Sequence, residues 1–428
     1  MWLRKILYLH QLRKNQWLKP SELQKLQRKK LRAIIKYAYF NIKFYNRRFK
    51  DVGVKPDDIK TVEDLTKIPV TSRSELRAGF RTGKVLRPNL DLSKCNLSRT
   101  AGTSGNPFTI VYDEMAEDFQ KAVAVRSFLE SGGRFRDKWV IITIPYRMHL
   151  KKQWFQKFSF LSPIYLSVFD SVEKNISLLR KIQPDVIGAY PSYMQLLAKR
   201  IRENDVDDIH PRMVYTSAEV LSEEAREFIN SAFNLELSDQ FGCAEVGRSA
   251  WECQEHVGYH MDVDALVMEF VKDNEPVSPG ERGRLLYTCL FNYAMPLIRY
   301  DCGDICVPTD ELCPCGRGLP LIKKIEGRSD DFVTATDGTV LSPTLLLIVM
   351  KEISGIAQYR IIQETRSHFK VMLVRDQDFT DRVLHQIESG IKEVVGNDAL
   401  VEVQTVSEIP KDKAGKIRAI ISKVKVDL

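Results

Sequence analysis

The sequence predicts an α/β protein with a large N-terminal domain and a small α+β domain at its C-terminus. From KWVIITI to SEEAREFINSAF, β-rich runs alternate with helical runs, as in α/β units around a mostly parallel sheet. From about His260 the runs HMDVDALVMEFV and GRLLYTCL flank a Pro-Gly turn, which indicates antiparallel strands. We therefore expect a large domain of mixed sheets with flanking helices.

The last hundred residues follow a different pattern. Gly, Ser and Asp punctuate IEGRSDDFVTATDGT after the apolar run LPLIKKI, so we place a domain boundary between residues 1–329 and 330–428. Beyond it the helix SPTLLLIVMKEI precedes the strands QYRIIQET and HFKVMLVR, the helix DRVLHQIESGIKEVV and the strand LVEVQTV. This order predicts a compact α+β domain.

The composition is that of a globular protein without membrane spans. The 428 residues are 44% hydrophobic and 28% charged, and no apolar run reaches the roughly 18 residues that a spanning helix needs. The N-terminal MWLRKILYLHQLRKNQW lacks the uninterrupted apolar core of a signal peptide. We therefore expect a cytoplasmic protein.

Positive charge is concentrated at the N-terminus. Of the net charge of +8, residues 1–50 carry +14, because they contain 15 Lys or Arg and the single acid Glu22. Apolar residues at helical spacing indicate a helix whose basic face is solvated. The alternative is a peripheral anchor to the anionic inner face of the membrane, with insertion of Trp2, Leu3, Ile6, Leu7 and Trp17. Since no recognised nucleic-acid-binding module is present, we expect no nucleic-acid partner.

The stretch SRTAGTSGNPFTIVYDE combines small hydroxyl residues and glycines just before a strand. One interpretation is a plain turn, since Ser-Gly-Asn-Pro is ordinary turn chemistry. The other is a phosphate loop, because glycines let backbone N–H groups approach an anion and hydroxyl groups add donors. This stretch alone does not separate the two.

Four later stretches decide between them by their order and spacing. They are YTSAEVL at 215–221, DQFGCAEVG at 239–247, IRYDCGD at 298–304 with EGRSDD at 326–331, and PKDKAGKIR at 410–418. Together with the loop they make the chain resemble the adenylate-forming superfamily. Within it, the chain is similar to the phenylacetate–coenzyme A ligase branch and its CapK-like relatives in capsular polysaccharide biosynthesis. The resemblance runs from about residue 20 to the C-terminus.

The resemblance implies an AMP-forming acid ligase that needs ATP and Mg²⁺. A carboxylate oxygen attacks the α-phosphorus of ATP, pyrophosphate leaves, and the acyl group of the acyl-adenylate passes to a thiol such as coenzyme A or to an amine. Catalysis of this kind consists chiefly of positioning and charge neutralisation. The alternative is a catalytically silent or scaffolding homologue in a membrane-associated glycan pathway.

The same resemblance assigns the nucleotide contacts. Thr103 and Ser104 would hold the β- and γ-phosphates, and Asn106 stands where many relatives have a basic residue. Glu245 would help to hold Mg²⁺. Phe241 replaces a frequent Tyr against adenine, and Ala244 replaces the usual hydroxyl residue. The remaining expected nucleotide contacts are Thr100, Gly102, Gly105, Ser217, Ala218, Glu219, Gly242, Asp304 at the ribose, and Arg328.

Two expected functional residues lie in the C-terminal domain, which the resemblance makes a mobile lid. Asp330 falls where the family hinges this domain. Lys416 fits the lysine that bridges the carboxylate and the α-phosphate as charge develops. Taken alone, Lys416 would be interpreted as a solvated loop lysine. The retained acids and bases argue against a silent homologue.

A group of cysteines and histidines predicts a metal site that ligase chemistry does not need. Cys253 in ECQEHVGYH and the Cys-x-Cys pair Cys313 and Cys315 suit a tetrahedral Zn²⁺, and buried reduced thiols are the alternative. Cys-x2-His spacing favours His256 as the fourth ligand, whereas resemblance to zinc-bearing relatives favours His260, which we choose. A site with three thiolates and one imidazole is closed, so we expect a structural role.

The acyl pocket is expected within IPYRMHLKKQWFQKFSFLSPIY. Its basic residues indicate a polar or charged acid, or a docking face for a carrier. The sequence leaves the acid and its acceptor open.

Overall fold

The chain is described from a computed structural model, which covers residues 2–99, 109–143, 161–328, 332–341, 343–351, 353–411 and 418–424. It forms two compact units. The first comprises Met1–Cys302 and Cys306–Lys324, and the second comprises Gly303–Ile305 and Ile325–Leu428. The domain boundary expected between residues 329 and 330 stays a prediction.

Helices form the N-terminal part of the first unit and the connections of its sheet. They are α1 (Trp2–Asn15), α2 (Pro20–Asn41), α3 (Lys43–Asp51), α4 (Arg73–Arg81), α5 (Glu114–Glu130), α6 (Val172–Ile182), α7 (Pro191–Glu203) and α8 (Glu223–Phe233). Local sequence explains several starts. Pro20 occupies the first turn of α2, and Ser72 and Glu75 form a reciprocal capping box at the start of α4. The starts of α2 and α4 are therefore specified by local sequence.

The strands of the first unit form a short hairpin and one large sheet. The hairpin joins β1 (Asn96–Arg99) and β2 (Thr109–Tyr112). The large sheet contains β3 (Trp139–Thr143), β4 (Ile164–Ser167), β5 (Val186–Ala189), β6 (Met213–Ser217), β7 (Ser238–Cys243), β8 (Gly247–Glu252), β9 (Tyr259–Met261), β10 (Leu266–Lys272), β11 (Glu275–Pro276), β12 (Gly283–Cys289), β13 (Tyr300–Thr309) and β14 (Leu321–Arg328). Its order is β11-β10-β12-β13-β14-β9-β8-β7-β6-β5-β3-β4.

The large sheet changes direction at β7. Strands β4, β3, β5, β6 and β7 pair in parallel, and helices α6, α7 and α8 connect β4 to β5, β5 to β6 and β6 to β7. By contrast, β7 pairs antiparallel with β8, and β8 with β9. Helices α6 and α7 cover the parallel part and share an apolar core with it. The predicted α/β class with a mixed sheet is thus confirmed.

The prediction of one continuous strand for the run HMDVDALVMEFV is wrong. The structure divides it into β9 and β10, because the chain turns at Asp262 and the N–H groups of Ala265 and Leu266 both donate to its carbonyl oxygen. The carboxylates of Asp262 and Asp264 bind the buried guanidinium of Arg126 in α5. Their polar side chains therefore end one strand before the next begins.

The second unit contains a four-stranded sheet against two helices. Its elements are β15 (Val333–Thr334), β16 (Val340–Leu341), α9 (Pro343–Lys351), β17 (Ile356–Thr365), β18 (His368–Arg375), α10 (Asp381–Val395), β19 (Leu400–Thr405) and β20 (Ile420–Ser422). The order of the larger sheet is β19-β18-β17-β20. The amphipathic pattern of α10 explains its packing, since its buried residues are Val383, Ile387, Ile391 and Val395. The predicted α+β character of this region is confirmed.

The basic N-terminal segment packs on the first unit. In α1, Arg4 pairs with Asp118 of α5, and Tyr8 meets the ring of Phe119 edge-on at 5.1 Å. In α2 the buried face comprises Leu23, Gln27, Leu31, Ile34, Ile35 and Ala38. Among the residues that the structure describes, none of the helices combines the length and apolar content needed to cross a bilayer.

Candidate functional site

Glu245 lies in the turn between β7 and β8 and is almost fully buried, with 2% of its surface exposed. Its Oε1 atom accepts hydrogen bonds from Tyr300 Oη at 2.7 Å and from Arg73 Nη2 at 3.0 Å. Its backbone carbonyl accepts a hydrogen bond from Tyr112 Oη at 2.5 Å. A buried carboxylate is tolerable when it is paired in this way, so the protein holds a fixed anion at this turn.

The neighbouring residues of this turn fit a close backbone approach. A Cβ on Gly242 would lie 2.1 Å from the carbonyl oxygen of Gly247, so a side chain at this position would collide with backbone. Ser98 Oγ donates to the carbonyl oxygen of Ala244 at 3.3 Å, which places the chain just before the expected phosphate loop beside the turn. The loop itself lies outside the described residues, with Thr100, Gly102, Thr103, Ser104, Gly105 and Asn106.

The two expected adenine segments meet at the end of the parallel sheet. Ser217 ends β6 and lies opposite Gln240 of β7, next to the partly exposed Phe241. The following Ala218 has a φ of +72°. Glu219 makes a contact that the sequence did not indicate. Its Oε2 accepts a hydrogen bond from the N–H of Ser192, in the first turn of α7, at 2.9 Å. Glu219 therefore stabilises a helix start.

The remaining expected nucleotide residues belong to other parts of the chain. Asp304 is buried in β13, within the short part of that strand that belongs to the second unit. Arg328 is the last residue of β14. Asp330 and Lys416 lie outside the described residues. The roles of these four residues stay predictions.

Arg360 in β17 connects the two ends of the stretch that contains Lys416. Its Nη2 donates to the carbonyl oxygen of Pro410 at 2.7 Å, and its Nε donates to that of Arg418 at 3.0 Å. Sequence reasoning missed Arg360, because it precedes the lysine stretch by about fifty residues and carries no motif of its own.

Four sulfur and nitrogen ligands converge elsewhere in the first unit. One ligand atom each from Cys253, His260, Cys313 and Cys315 lies within 4.8 Å of all the others, and we call these four residues the metal cluster. Cys253 follows β8, His260 is in β9, and the two other cysteines precede β14, which pairs with β9 at His260. His256 is outside this group, with Nδ1 at 3.7 Å from the Glu252 carboxylate.

The distances in the metal cluster are those of a tetrahedral site. Cys253 Sγ and Cys313 Sγ are 3.6 Å apart, and Cys315 Sγ and His260 Nε2 are 3.4 Å apart. A tetrahedron with Zn–S bonds of about 2.3 Å and a Zn–N bond of about 2.0 Å has edges of about 3.8 and 3.5 Å. The four side chains therefore already surround a space of the size that such an ion fills.

The surroundings of the metal cluster shift the pKa values of its side chains in different directions. Burial, with help from the charge of Arg317, lowers the pKa of His260 to about 4, so its imidazole is neutral. Burial raises the pKa of Cys313 to about 12. Burial alone would also raise the pKa of Cys315, but hydrogen bonds from Arg317 lower it overall. Arg317 thus favours one thiolate at the cluster.

Arg317 also ties the cluster to the N-terminal helices. Its guanidinium lies 4.8 Å from the ring centroid of Trp17 and 5.4 Å from that of Trp251, and its Nη2 is 2.6 Å from Glu130. The next residue, Gly318, donates its N–H to the carbonyl oxygen of Gln16 at 2.9 Å. The turn between α1 and α2 is therefore held directly by the cluster loop.

A buried carboxylate pair lies between the adenine segments and the metal cluster. Asp239 in β7 accepts hydrogen bonds from Thr216 Oγ1 at 2.7 Å and Tyr259 Oη at 2.9 Å, and its N–H donates to Glu252 at 2.7 Å. Burial and the Glu252 charge raise the pKa of Asp239 to about 7. Arg226 in turn donates to Glu252 at 2.7 Å. Sequence reasoning did not single out this network.

Comparison with known proteins gives the class to which this fold belongs. A family model described as the CapK C-terminal domain matches residues 333–423. The crystal structure of a 2-hydroxyisobutyryl-CoA ligase in the postadenylation state has the same fold, with a TM-score of 0.77 at 19% identity, over 95% of this chain and 90% of that chain. These matches define an adenylate-forming fold.

Two sequence relatives narrow the class. The phenylacetate–coenzyme A ligase of Pseudomonas putida is 30% identical over 330 residues, covering 73% of this chain and 72% of that protein. The phenylacetate–coenzyme A ligase of Thermus thermophilus is 26% identical over 435 residues, covering 94% of this chain and 96% of that protein. The chain belongs to the phenylacetate–coenzyme A ligase family. The expected family and the enzyme class of AMP-forming acid ligase are confirmed.

Proposed function

We propose that this chain activates a small carboxylic acid with ATP, releases pyrophosphate, and transfers the acyl group of the acyl-adenylate to coenzyme A. Membership of the phenylacetate–coenzyme A ligase family, with relatives that match over nearly the whole chain, carries this proposal. The buried anion at Glu245 supports it, because this reaction needs a fixed ligand for the cation that accompanies the phosphates.

The residue roles are part of the same proposal. Thr103 and Ser104 bind the β- and γ-phosphates, and Glu245 holds Mg²⁺, which when bound neutralises phosphate charge. Asp304 accepts the ribose hydroxyl groups. Lys416 stabilises the charge that develops between the carboxylate and the α-phosphate. Each assignment rests on the motif in which the residue stands.

A second candidate acceptor is the amine of a sugar in polysaccharide biosynthesis. It is tested because the chain resembles relatives in capsular polysaccharide biosynthesis and residues 333–423 match the CapK C-terminal domain. The acyl-adenylate reacts with either nucleophile by the same displacement of AMP, so the acid activation step is common to both.

ATP–pyrophosphate exchange across a panel of carboxylic acids tests the activation step. We expect exchange with at least one acid, and mass analysis of the products with coenzyme A or sugar amines then identifies the acceptor. Glu245→Gln should raise the Mg²⁺ requirement at least about tenfold, since it removes a hard anionic ligand. Glu227→Gln, an exposed position on α8, is the matched control. A folded, ATP-binding protein that exchanges with none of the acids would favour the scaffolding alternative.

We also propose that the metal cluster holds one structural Zn²⁺. Its ligand distances, its neutral imidazole and its three thiol groups support the assignment. A closed site of this kind contributes folding free energy and offers no open position for substrate. It would join the chain after β8 to the loop before β14.

Metal analysis of protein purified without chelator tests the zinc site. We expect one zinc per chain in the wild type and in the control Cys95→Ser, and none in Cys313→Ser combined with Cys315→Ser. His260→Ala should lose zinc, whereas His256→Ala should keep it. A wild type without metal would return these cysteines to the buried-thiol interpretation.

Docking on an anionic membrane is a further proposal, and it depends on two exposed surfaces. Leu3, Ile6 and Leu7 on α1 are 75%, 40% and 64% exposed. Exposed basic residues of α2 share one helical face: Lys25, Arg28, Lys29, Arg32 and Lys36. Apolar insertion with nearby basic residues is the pattern of peripheral binding, here to the cytoplasmic leaflet.

Vesicle sedimentation tests the membrane proposal. Anionic vesicles should sediment the protein at low salt, and neutral vesicles should not. Leu3→Ser with Leu7→Ser, and Lys25→Glu with Lys29→Glu, should each weaken binding without changing pyrophosphate exchange. Lys174→Glu with Lys181→Glu on α6, two exposed positions, changes the charge by the same amount and is the matched control. Equal binding to both kinds of vesicle would remove the electrostatic argument.

A further inference from the structure

The carboxylate of Glu245 is held by a ring of hydrogen bonds from two distant segments. Arg73 Nε donates to Tyr300 Oη at 3.2 Å, Tyr300 Oη donates to Glu245 Oε1 at 2.7 Å, and Arg73 Nη2 donates to the same Oε1 at 3.0 Å. The directions are consistent, because the phenol donates its one proton and accepts another on its lone pair. Both hydrogen bonds to the carboxylate go to Oε1, and within the described part of the chain none engages Oε2.

The backbone that carries Arg73 is fixed against the start of β13. Thr71 donates its N–H to Arg299 at 2.8 Å, and the N–H of Asp301 donates to Thr71 at 3.0 Å. Arg73 is the first residue of α4, directly after the capping box of Ser72 and Glu75. The guanidinium therefore approaches Glu245 from a rigid helix start.

Burial makes this arrangement more than a surface ion pair. Tyr300 is fully buried, Glu245 is 2% exposed, and the side chain of Arg73 is 23% exposed. In such surroundings a charge-assisted pair has a defined geometry, and removal of one partner disturbs the other strongly. The orientation of the Glu245 carboxylate thus depends on Arg73 and Tyr300.

We propose that Arg73 and Tyr300 are positioning residues of the nucleotide site, which hold Oε1 of Glu245 so that Oε2 is the oxygen presented to Mg²⁺. This inference rests on the proposed role of Glu245. Groups that hydrogen-bond a metal-ligating carboxylate typically contribute about 10- to 100-fold to metal affinity or activity. The positive charge of Arg73 would by itself repel Mg²⁺, so orientation and charge predict opposite effects of its removal.

Mg²⁺-dependent thermal stabilisation by a non-hydrolysable ATP analogue separates these two effects in the full chain. If orientation dominates, Arg73→Gln should raise the Mg²⁺ concentration for half-maximal stabilisation about tenfold. Tyr300→Phe, which removes one hydrogen bond and keeps the ring, should raise it less. Arg73→Lys keeps the positive charge but loses the planar set of N–H donors that contacts both Tyr300 and Glu245. Its Mg²⁺ requirement should therefore be closer to that of Arg73→Gln than to that of the wild type.

Arg48→Gln is the matched control, because Arg48 binds Glu75 of the same helix start at 2.5 Å without touching Glu245. It should leave the Mg²⁺ dependence unchanged. In a Glu245→Gln background, Arg73→Gln should have no further effect on the Mg²⁺ dependence. If Arg73 were merely structural, its replacement would have the same effect with and without Glu245.

An unchanged or lower Mg²⁺ requirement in Arg73→Gln would overturn the inference, and so would an equal effect of this variant with and without Glu245. If an Arg73 variant does not fold, Tyr300→Phe decides the question by the same measurement. Mg²⁺-dependent nucleotide binding that weakens in these variants, without exchange for any acid, would support this inference while contradicting the proposed ligase activity.

Discussion

Replacement of Arg317 should loosen the attachment of the N-terminal helices to the metal-cluster loop. Its guanidinium lies between the rings of Trp17 and Trp251, and it pairs with Glu130. The side chains of Arg317 and Glu130 are 11% and 7% exposed, so both charges are largely removed from water. Arg317→Ala removes the contact with Trp17 in the turn between α1 and α2, and also the contacts with Trp251 in β8 and Glu130 in α5.

The loss can be estimated from these contacts. Two cation–π contacts contribute about 1 kcal/mol each. Removing one partner of a buried ion pair costs about 3–5 kcal/mol when the other is orphaned. Glu130 keeps its ion pair with Arg13 at 2.8 Å, so removing Arg317 costs less than this range. Opening of the turn breaks only the Trp17 contact, since Trp251 lies in β8 and Glu130 in α5. About 1 kcal/mol of the loss therefore falls on the turn, which corresponds to about a fivefold larger population of its locally opened form.

Native-state hydrogen exchange followed by mass spectrometry measures this population. Peptides that cover the end of α1 and the start of α2 should lose about fivefold of their protection in Arg317→Ala. Arg317→Lys should lose somewhat less, since an ammonium keeps the charge but stacks poorly on indole rings. Arg180→Ala, which removes an exposed ion pair with Asp208, should leave these peptides unchanged.

Two results would refute this reasoning. Unchanged protection in Arg317→Ala would mean that the remaining contacts of α1 hold the turn without the cluster loop. An equal loss of protection throughout the first unit would mean that Arg317 supports the whole fold rather than this attachment.

Lys416→Ala should reduce ATP–pyrophosphate exchange at least about 100-fold and leave nucleotide binding nearly intact, because a residue that acts in the transition state changes kcat more than ground-state affinity; wild-type exchange in this variant would contradict the assignment. Arg360→Gln should lower ATP–pyrophosphate exchange about tenfold, but it should cause no further loss in a Lys416→Ala background. Arg375→Gln in the neighbouring strand should leave exchange unchanged. Additive losses in the double variant would show that Arg360 does not act through Lys416. Asp239→Asn should flatten the pH dependence of thermal stability. The folded-state pKa of about 7 lies above the ordinary 3.8, so the folded protein binds more protons between these values and loses stability as the pH rises through them. An unchanged slope in urea or thermal unfolding from pH 4 to 7 would contradict this.

Local patterns predicted many of the elements. The run DRVLHQIESGIKEVV coincides with α10 (Asp381–Val395), and DVIGAY contains β5 (Val186–Ala189), because an amphipathic period of 3.6 and a short apolar run are both readable without tertiary context. The division at Asp262 was not predictable in this way. Its cause is Arg126 in α5, which is 136 residues away in sequence.

The sequence alone determined the family and the residues on which its chemistry is expected to depend, because motif residues such as Glu245 keep their type and order along the chain. It also placed His260 with three cysteines, although spacing alone favoured His256. Tertiary structure decided which groups surround these residues. Arg73 reaches Glu245 across 172 positions, Arg360 spans both ends of the Lys416 stretch, and Arg317 joins the cluster loop to Trp17. These contacts arise from the packing of elements distant in sequence, and hydrogen bonds between such elements leave no period or spacing in the chain by which they could be recognised.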